Sequence, residues 1–349
     1  IMAYTTIDDP LQYFNTVLYT GTGSAQSITG VGFQPDWIWI KQRSGATHHK
    51  TSDSVRGATK ALKPNNADEE GTDGQGITSF NSDGFSLGTG GDYNGSSNTQ
   101  VAWNWKAGTS FSNDASSTGI GSIDSTGSVN TDAGFSIVSY TGTGSSGTIK
   151  HGLSSAPTTI FIKVRSHSDS WTVGHNSLGW GKYLRLDNTS AEGSNTNIFN
   201  NTTPTSTVFS VNHDDVNASG RTYIAYCFAE KQGYSKFGSY TGNGNADGTF
   251  IYTGFKPAFV MFKRFDDSGR NWWIFDNKRD LDNDVTLELL ANSSGTEDST
   301  GSANLDFLSN GIKLRTTQTD LNGSGGTLIY MAFAESPFST STGIPTTAR

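Results

Sequence analysis

An internal repeat in three copies constrains this chain more than any other feature. Tyr-Thr-Gly occurs at residues 19–21, 140–142 and 240–242, and a proline follows each tyrosine 16 or 17 residues later. A lysine stands six residues beyond each proline, at Lys41, Lys163 and Lys263. Self-similarity at a constant spacing indicates that each copy is one structural unit stacked against its neighbours.

These spacings divide the chain into three units of about 100 residues. The expected organisation is an N-terminal arm at 1–16, units at 17–108, 136–232 and 233–338, a Ser/Gly-rich connector at 109–135 and a C-terminal tail at 339–349. The composition of the connector is typical of a linker. Two isoleucines, Ile120 and Ile123, would nevertheless allow part of it to lie against a neighbouring sheet.

Apolar residues alternate with a period of two at the end of each unit. Val101, Trp103 and Trp105 share one face of a strand, while Ala102 and Asn104 share the other. This alternation predicts a half-buried strand. The run between the proline and the lysine, as in residues 37–40, is apolar on both faces, so it should be central or lie between a core and another unit.

Gly-rich turns bound these short strands, and helix-like turns are expected only at 55–62 and 285–290. The pattern predicts an all-β protein with three tandem antiparallel β-sandwich units of jelly-roll or Greek-key type. The composition agrees, because 42 Gly, 20 Phe, 12 Tyr and 8 Trp among 349 residues suit pleated sheets joined by tight turns.

Charge and composition also exclude several classes of function. A net charge of −8 leaves no basic excess to neutralise nucleic-acid phosphates. No stretch approaches about 18 consecutive apolar residues, so we expect no membrane insertion. A single cysteine, Cys227, excludes intrachain disulfides and cysteine-based zinc sites.

Three motifs resemble catalytic or metal sites, and a plainer interpretation is favoured for each. Ser86 lies in a Gly-x-Ser-x-Gly sequence, but the repeat places it within a strand rather than on a nucleophile elbow. Asn243, Asn245 and Asp247 imitate half of a calcium loop, but Gly254 stands where the closing acid belongs, so a turn is expected. The acidic residues at 280, 282 and 284 are expected to form a solvated loop, so no metal or cofactor is predicted.

A glycoside hydrolase would need two carboxylates facing each other across a cleft. Glu230 and Glu335 recur at the ends of equivalent strands, but they belong to different units and Ala107 takes this place in the first unit. Edge acids of this kind are more often salt-bridge partners or gatekeepers. We therefore expect no enzyme, with a sandwich-fold glycan hydrolase as a remote alternative.

A sugar-stacking site is predicted around Trp171, Trp272 and Trp273, with Arg270 and Asn271 as a polar rim. Adjacent side chains in a strand point to opposite faces, so one of Trp272 and Trp273 should leave its own core. The favoured alternative is that both are buried, one inside a sandwich and one between units.

Five sequence motifs, taken together, are characteristic. They are Met-Ala-Tyr-Thr-Thr-Ile-Asp-Asp-Pro at 2–10, the Tyr-Thr-Gly-Thr-Gly turn, Gly-Phe-Gln-Pro-Asp-Trp at 32–37, Asp-Ser-Val-Arg-Gly-Ala at 53–58 and Tyr-Met-Ala-Phe-Ala-Glu at 330–335. In these motifs the chain resembles a family of uncharacterised virion proteins of marine bacteriophages and cyanophages. The second unit departs from it, with His-Asn-Ser-Leu-Gly at 175–179, and is expected to lack the surface role of that segment.

The resemblance implies a structural protein located in the virion, a tail fibre or appendage, with sandwiches of lectin-like type, and it carries no catalytic residues. Its arm would attach to other virion proteins and its distal loops would recognise a host-surface glycan. A capsid decoration or head-fibre protein with a purely structural role is the alternative. Strands apolar on both faces also predict a homo-oligomer, by analogy with fibres a trimer, because such faces need cover.

Overall fold

The computed structural model describes residues 3–346; residues 1, 2 and 347–349, the outer ends of the predicted arm and tail, lie outside the described range. The first unit follows a short 3-10 turn, Pro10–Gln12. Its elements are β1 (Phe14–Thr20), β2 (Gln26–Thr29), β3 (Trp37–Gln42), β4 (Lys50–Asp53), β5 (Lys60–Ala61), β6 (Gly71–Thr72), β7 (Ile77–Asn81), β8 (Gly84–Leu87), α1 (Gly91–Asn94) and β9 (Thr99–Trp105).

The second and third units repeat the main features of this order, each ending in a one-turn helix and a long closing strand, and the second unit begins with an additional hairpin. The second contains β10 (Thr109–Asn113), α2 (Ala115–Thr118), β11 (Ser125–Asn130), β12 (Phe135–Thr141), β13 (Gly147–Lys150), β14 (Thr159–Val164), β15 (Thr172–His175), β16 (Lys182–Arg185), β17 (Gly193–Ser194), β18 (Val208–Val211), α3 (Asp214–Asn217) and β19 (Thr222–Phe228). The third contains β20 (Ser235–Thr241), β21 (Phe250–Tyr252), β22 (Phe255–Arg264), β23 (Trp272–Asp276), β24 (Leu289–Leu290), β25 (Leu305–Leu308), β26 (Gly311–Leu314), α4 (Thr319–Asn322) and β27 (Thr327–Pro337).

Each unit is an antiparallel sandwich of one large and one small sheet. The large sheets share the strand orders β1-β9-β3-β4, β12-β19-β14-β15 and β20-β27-β22-β23, and the small sheets are β2-β8-β7, β13-β18 and β21-β26-β25. The closing strand therefore lies between the first strand and the proline-to-lysine strand in every copy. The predicted all-β class, built from tandem antiparallel sandwiches, is confirmed.

The three large sheets also pack against one another around one shared core. The rings of Trp37 in the first unit and Tyr226 in the second lie 4.4 Å apart. Phe14 of the first unit stacks on Phe333 of the third at 5.1 Å, and Phe228 of the second packs on the same ring at 5.9 Å. The face that predicted a second subunit is thus covered by other units of the same chain.

The repeated Tyr-Thr-Gly motif closes one end of each sandwich. Each tyrosine hydroxyl donates to a carbonyl just before the repeated asparagine, as Tyr19 does to Tyr93 at 2.8 Å. The Asn94 side chain then accepts from the Thr22 amide. A methyl group added at Gly21 would lie 2.2 Å from the Gly95 carbonyl oxygen, so only glycine fits this close approach. The other units repeat the tyrosine and asparagine bonds through Tyr140 with Asn217 and Tyr240 with Asn322.

The expectation of a linker between the first two units is wrong. Thr109–Asn113 pairs with Ser125–Asn130, which pairs in turn with β12, so both strands belong to the eight-stranded large sheet of the second unit. Ile123 is buried and bridges Ile149, as its apolar side chain suggested. The Ser/Thr-rich composition of this segment resembles that of a linker, because alternating hydroxyl side chains occupy the exposed face of an edge hairpin.

The positions of the helical turns also differ from expectation. One-turn helices α1, α3 and α4 stand just before the closing strands, whereas 55–62 begins as a turn held by the Asp53 carboxylate, which accepts from the amides of Val55 and Arg56. In the third unit, Leu289–Leu290 forms β24. Asp and Asn side chains compete with helical hydrogen bonds in this way.

The predicted arm belongs to the folded body. Ile7 is buried in the shared core, the Thr5 hydroxyl donates to the Gln232 carbonyl at 2.8 Å, and β1 begins inside the predicted arm. Asp8 accepts from the amide of Ser341, so the arm and the tail meet on the third unit. Within residues 3–346, no helix has the length and apolarity needed to span a bilayer.

Candidate functional site

The tryptophans of the predicted sugar site are buried. Trp171 is 1% exposed, Trp272 2% and Trp273 4%. Trp273 lies in the core of the third sandwich, and Trp272 lies in the core shared between units, which is the alternative favoured by the sequence. No ring is left for a sugar to stack on at this position.

The indole N–H groups tie neighbouring units together instead. The Trp171 Nε1 of the second unit donates to the Lys63 carbonyl of the first at 2.9 Å. Trp272 of the third unit donates to the Arg185 carbonyl of the second at 2.8 Å. His49 occupies this position in the first unit, where its Nδ1 accepts from an indole and its Nε2 therefore donates to a carbonyl of the third unit.

The residues of the predicted polar rim form ion pairs and hydrogen bonds within the third unit. The Arg270 guanidinium forms ion pairs with Asp267 and Asp320, at 2.5 and 3.2 Å. The amide of Asn271 donates to Asp320, and the Asn271 side chain accepts from Asn292. These residues fasten the loop before β23 to α4.

Buried ionic networks join the first unit to each of its neighbours. We call the buried contact between two units a seam. In the seam between the first and third units, the Asp276 carboxylate accepts from Trp103 Nε1 at 3.0 Å and from Arg279 Nε at 2.6 Å. Arg279 continues to Glu297, which forms a bidentate pair with Arg43 of the first unit. Burial alone would lower the pKa of Arg279, but the Asp276 and Glu297 carboxylates raise it above its ordinary value.

The first–second seam repeats this network with equivalent residues. Tyr226 of the second unit donates to Asp53 at 2.7 Å, and Asp53 pairs with Arg56 at 2.5 Å. Arg56 contacts Glu70, and Glu70 forms a bidentate pair with Arg165 of the second unit. Burial raises the pKa of Glu70, but the two guanidinium groups outweigh it and hold that pKa below its usual value.

The second–third seam replaces every member but one of this network by an uncharged residue. His175 and Leu178 stand where the first unit has Asp53 and Arg56, Met331 stands for the donor tyrosine, and Phe265 stands for the arginine. These positions are buried or half-buried between the units. The segment that was expected to have a surface role therefore lies between two units. Where the second unit differs in sequence at this segment, the residues of the third unit that face it have changed as well.

The repeated lysines are buried beneath the loops of the seams. Lys163 Nζ donates to the carbonyls of Asp169 and, in the first unit, Ala67, at 2.6 and 3.0 Å. Lys41 and Lys263 donate to carbonyls in the same way. Burial lowers the pKa of each lysine to about 8. Their ammonium groups hold loops rather than lining a cleft.

The motifs that resemble catalytic or metal sites have structural roles. Ser86 lies in β8, with its hydroxyl 3.1 Å from that of Ser27 across the strand pair. The side chains of Asn243 and Asn245 accept from backbone amides in a turn. Among the described residues, no three His, Cys, Asp or Glu side chains are grouped as metal ligands would be.

The two edge glutamates are paired as salt bridges. Glu335 binds Lys256 at 3.0 Å and accepts from Asn277, while Glu230 accepts from the Phe237 amide and faces Lys236 at 3.9 Å.

Exposed aromatic side chains lie on the third unit, on the outward side of its small sheet. Phe250 and Tyr252 of β21 are 44% and 54% exposed, while Ile251 between them is buried in the sandwich. Lys313 stands beside Phe250 in β26, and Gly311 stands beside Tyr252. We call this surface the outer aromatic face; it also carries Asp247, Asp306 and Arg315.

Sequence reasoning missed the outer aromatic face, although a signal was present. The corresponding outward positions are Ser27 and Thr29 in the first unit, and Thr148 and Lys150 in the second. Aromatic residues thus replace small polar or cationic residues at two outward positions of one copy. Comparing outward positions among the copies, rather than searching for tryptophan, would have found them.

A concave surface lies on the second unit, between the β10–β11 hairpin and the end of β12. This polar groove has a volume of about 680 Å³. It is lined mainly by hydroxyl and acidic side chains, including Asp114, Asp124, Thr126, Ser139 and Thr143. Asp114 caps α2 and Asp124 accepts from the Ala115 amide, so both carboxylates already have partners.

Fold and surface together define an all-β protein whose three sandwiches are fused around a shared core. Residues 9–337 match the family described as domain of unknown function DUF7483, and the chain belongs to this family. No curated protein and no solved structure matches the chain.

Proposed function

We propose that this chain is a non-enzymatic structural subunit of a bacteriophage particle, a tail fibre or appendage, that recognises a host-surface glycan through the outer aromatic face. The observation that carries recognition is the exposure of Phe250 and Tyr252 on a rigid sheet. Exposed aromatic rings are costly in water and are enriched where proteins bind partners. The resemblance to virion proteins supports the location in a phage particle.

The fusion of the units suits such a role. Twisting or shearing one sandwich against another would break buried bonds in the seams, such as that from Trp103 to Asp276. A body of this kind presents a binding surface in a fixed orientation, which reduces the entropy lost on binding. Ser86 and Glu335, which resembled parts of catalytic motifs in the sequence, form structural hydrogen bonds and salt bridges.

A density map of the particle together with a cell-binding assay tests the proposal. The map should place the chain on the particle surface, with the outer aromatic face directed away from the body of the particle. The purified protein should bind host cells, and the double variant Phe250→Ser/Tyr252→Ser should lose that binding while retaining its circular-dichroism spectrum. A chain confined to the capsid shell with this face covered would support a decoration protein and overturn recognition.

A further inference from the structure

We propose that the outer aromatic face takes a neutral sugar, which stacks on Phe250 and Tyr252 while its hydroxyls bridge Asp247 and Lys313. This inference rests on the proposed function, because it assigns the ligand class for the same surface. It follows from the arrangement of the rings and from the pairing of every charge that surrounds them.

The rings form one apolar platform beside polar groups. Phe250 and Tyr252 are two residues apart on β21, so both side chains point outward and lie about 7 Å apart along the strand. Gly311 presents no side chain beside Tyr252, and the Phe250 ring lies over it, 2.9 Å from where a Cβ would stand. The two rings therefore share one outward surface, against which the apolar face of a pyranose can stack.

The charges beside the platform cancel. Lys313 Nζ lies 2.8 Å from Asp247 Oδ1, and Arg315 Nε lies 2.6 Å from Asp306 Oδ2. Arg315 also faces Asp247 at 3.5 Å. Each cation therefore already has a carboxylate partner, and these four residues carry no net charge.

A neutral sugar suits this set of groups better than an acidic one. Sugar hydroxyls donate to a carboxylate and accept from an ammonium group, so one hydroxyl pair can satisfy Asp247 and Lys313 together. The Asp247 side chain is 77% exposed and would repel a carboxylate or sulfate beside it. The net charge of −8 on the whole chain opposes an anionic ligand further.

A glycan array containing neutral, sialylated and sulfated glycans tests the ligand class, read at 0.15 M and 1 M NaCl. We expect the wild-type protein to bind neutral glycans with less than about twofold loss at high salt, because no net charge is neutralised. Tyr252→Ser and Phe250→Ser should each weaken binding on the order of tenfold. Thr29→Ser and Ser27→Ala, at the equivalent positions of the first unit, are the matched controls and should leave binding unchanged.

The outcomes separate this inference from the proposed function. Binding only to sialylated or sulfated glycans, with a steep loss at high salt, would overturn the neutral-sugar inference and leave glycan recognition standing. Binding to no glycan at all, by a folded wild-type protein that still adheres to host cells, would overturn both and indicate a protein receptor. Neutral binding that survives both ring substitutions would place the site elsewhere and overturn the inference.

Discussion

Replacing Asp276 with alanine should break the first–third seam from its centre. The Asp276 and Arg279 side chains are both fully buried, and the carboxylate accepts from Trp103 Nε1, from Arg279 Nε and from two backbone amides. Without it, the guanidinium retains Glu297, a backbone carbonyl and the face of the Trp103 ring as partners, but no adjacent carboxylate from its own turn. Removing one member of a buried ion pair costs about 3–5 kcal/mol, because the other charge stays buried.

A second variant shows whether the cost comes from the uncompensated charge. Leucine already occupies the arginine position in the second–third seam, as Leu178, so Asp276→Ala/Arg279→Leu removes both charges in a manner that the fold tolerates. The double variant should cost at least about 2 kcal/mol less than the sum of the single variants. Asp267→Ala is the control, since its pair with Arg270 is partly exposed and screened by water, so its loss should change stability little.

Urea unfolding followed by tryptophan fluorescence measures these differences, because all eight tryptophans lie in the cores. A cost of less than about 1 kcal/mol for Asp276→Ala would refute the reasoning, since the seam would then be open to water. Strict additivity of the two single variants would refute it as well, because the charges would then not depend on each other.

Three further predictions concern the turns, pH and the division into units. Gly21→Ala should lower the free energy of unfolding by about 1–3 kcal/mol, because the added methyl group would clash with a carbonyl oxygen. Gly91→Ala has open space around it and should change the urea midpoint little. Equal effects of the two substitutions would contradict the turn geometry. Burial lowers the pKa of His175 from 6.5 to about 4, so between these pH values the unfolded chain binds a proton that the folded chain does not. Stability should therefore fall as pH decreases from about 6.5 to 4, by up to about 1.4 kcal/mol per pH unit. The melting temperature of His175→Asn should depend less on pH than that of the wild type, and an unchanged slope would contradict this. An isolated 109–232 segment, which keeps all the strands of the second unit, should fail to fold as a monomer, because its inner face is apolar. A sharp, reversible melt by circular dichroism would contradict a shared core.

The strands and the threefold repeat were predictable because local alternation determines which face of a strand is buried. Burial of Trp272 and Trp273 on opposite sides of one sheet followed from the same rule. The shared core could not be predicted in the same way. A strand that is apolar on both faces shows that its second face is covered, but the sequence does not show which unit or subunit covers it. Trp37 meets Tyr226 of another unit, where a second copy of the chain would have satisfied the same pattern.

The outer aromatic face was harder to predict for a different reason. Large aromatic residues are the first choice for a stacking site, and in this chain every tryptophan is needed for packing or for the seams. Phe250 and Tyr252 occupy positions that are polar in the other copies, so only a comparison of outward positions reveals them. The seams were hidden because Asp276 and Arg279 look like ordinary surface residues until the fold buries them together.

Hydrogen exchange read by mass spectrometry, with and without the best-binding array glycan, tests glycan recognition by the outer aromatic face most directly. The glycan should slow exchange at residues 248–254 and 311–315 of the third unit. Exchange at 112–114, 122–126 and 139–143, which line the polar groove of the second unit, should not change. Slowed exchange in that groove, with 248–254 unaffected, would contradict recognition by the outer aromatic face and move it to the second unit.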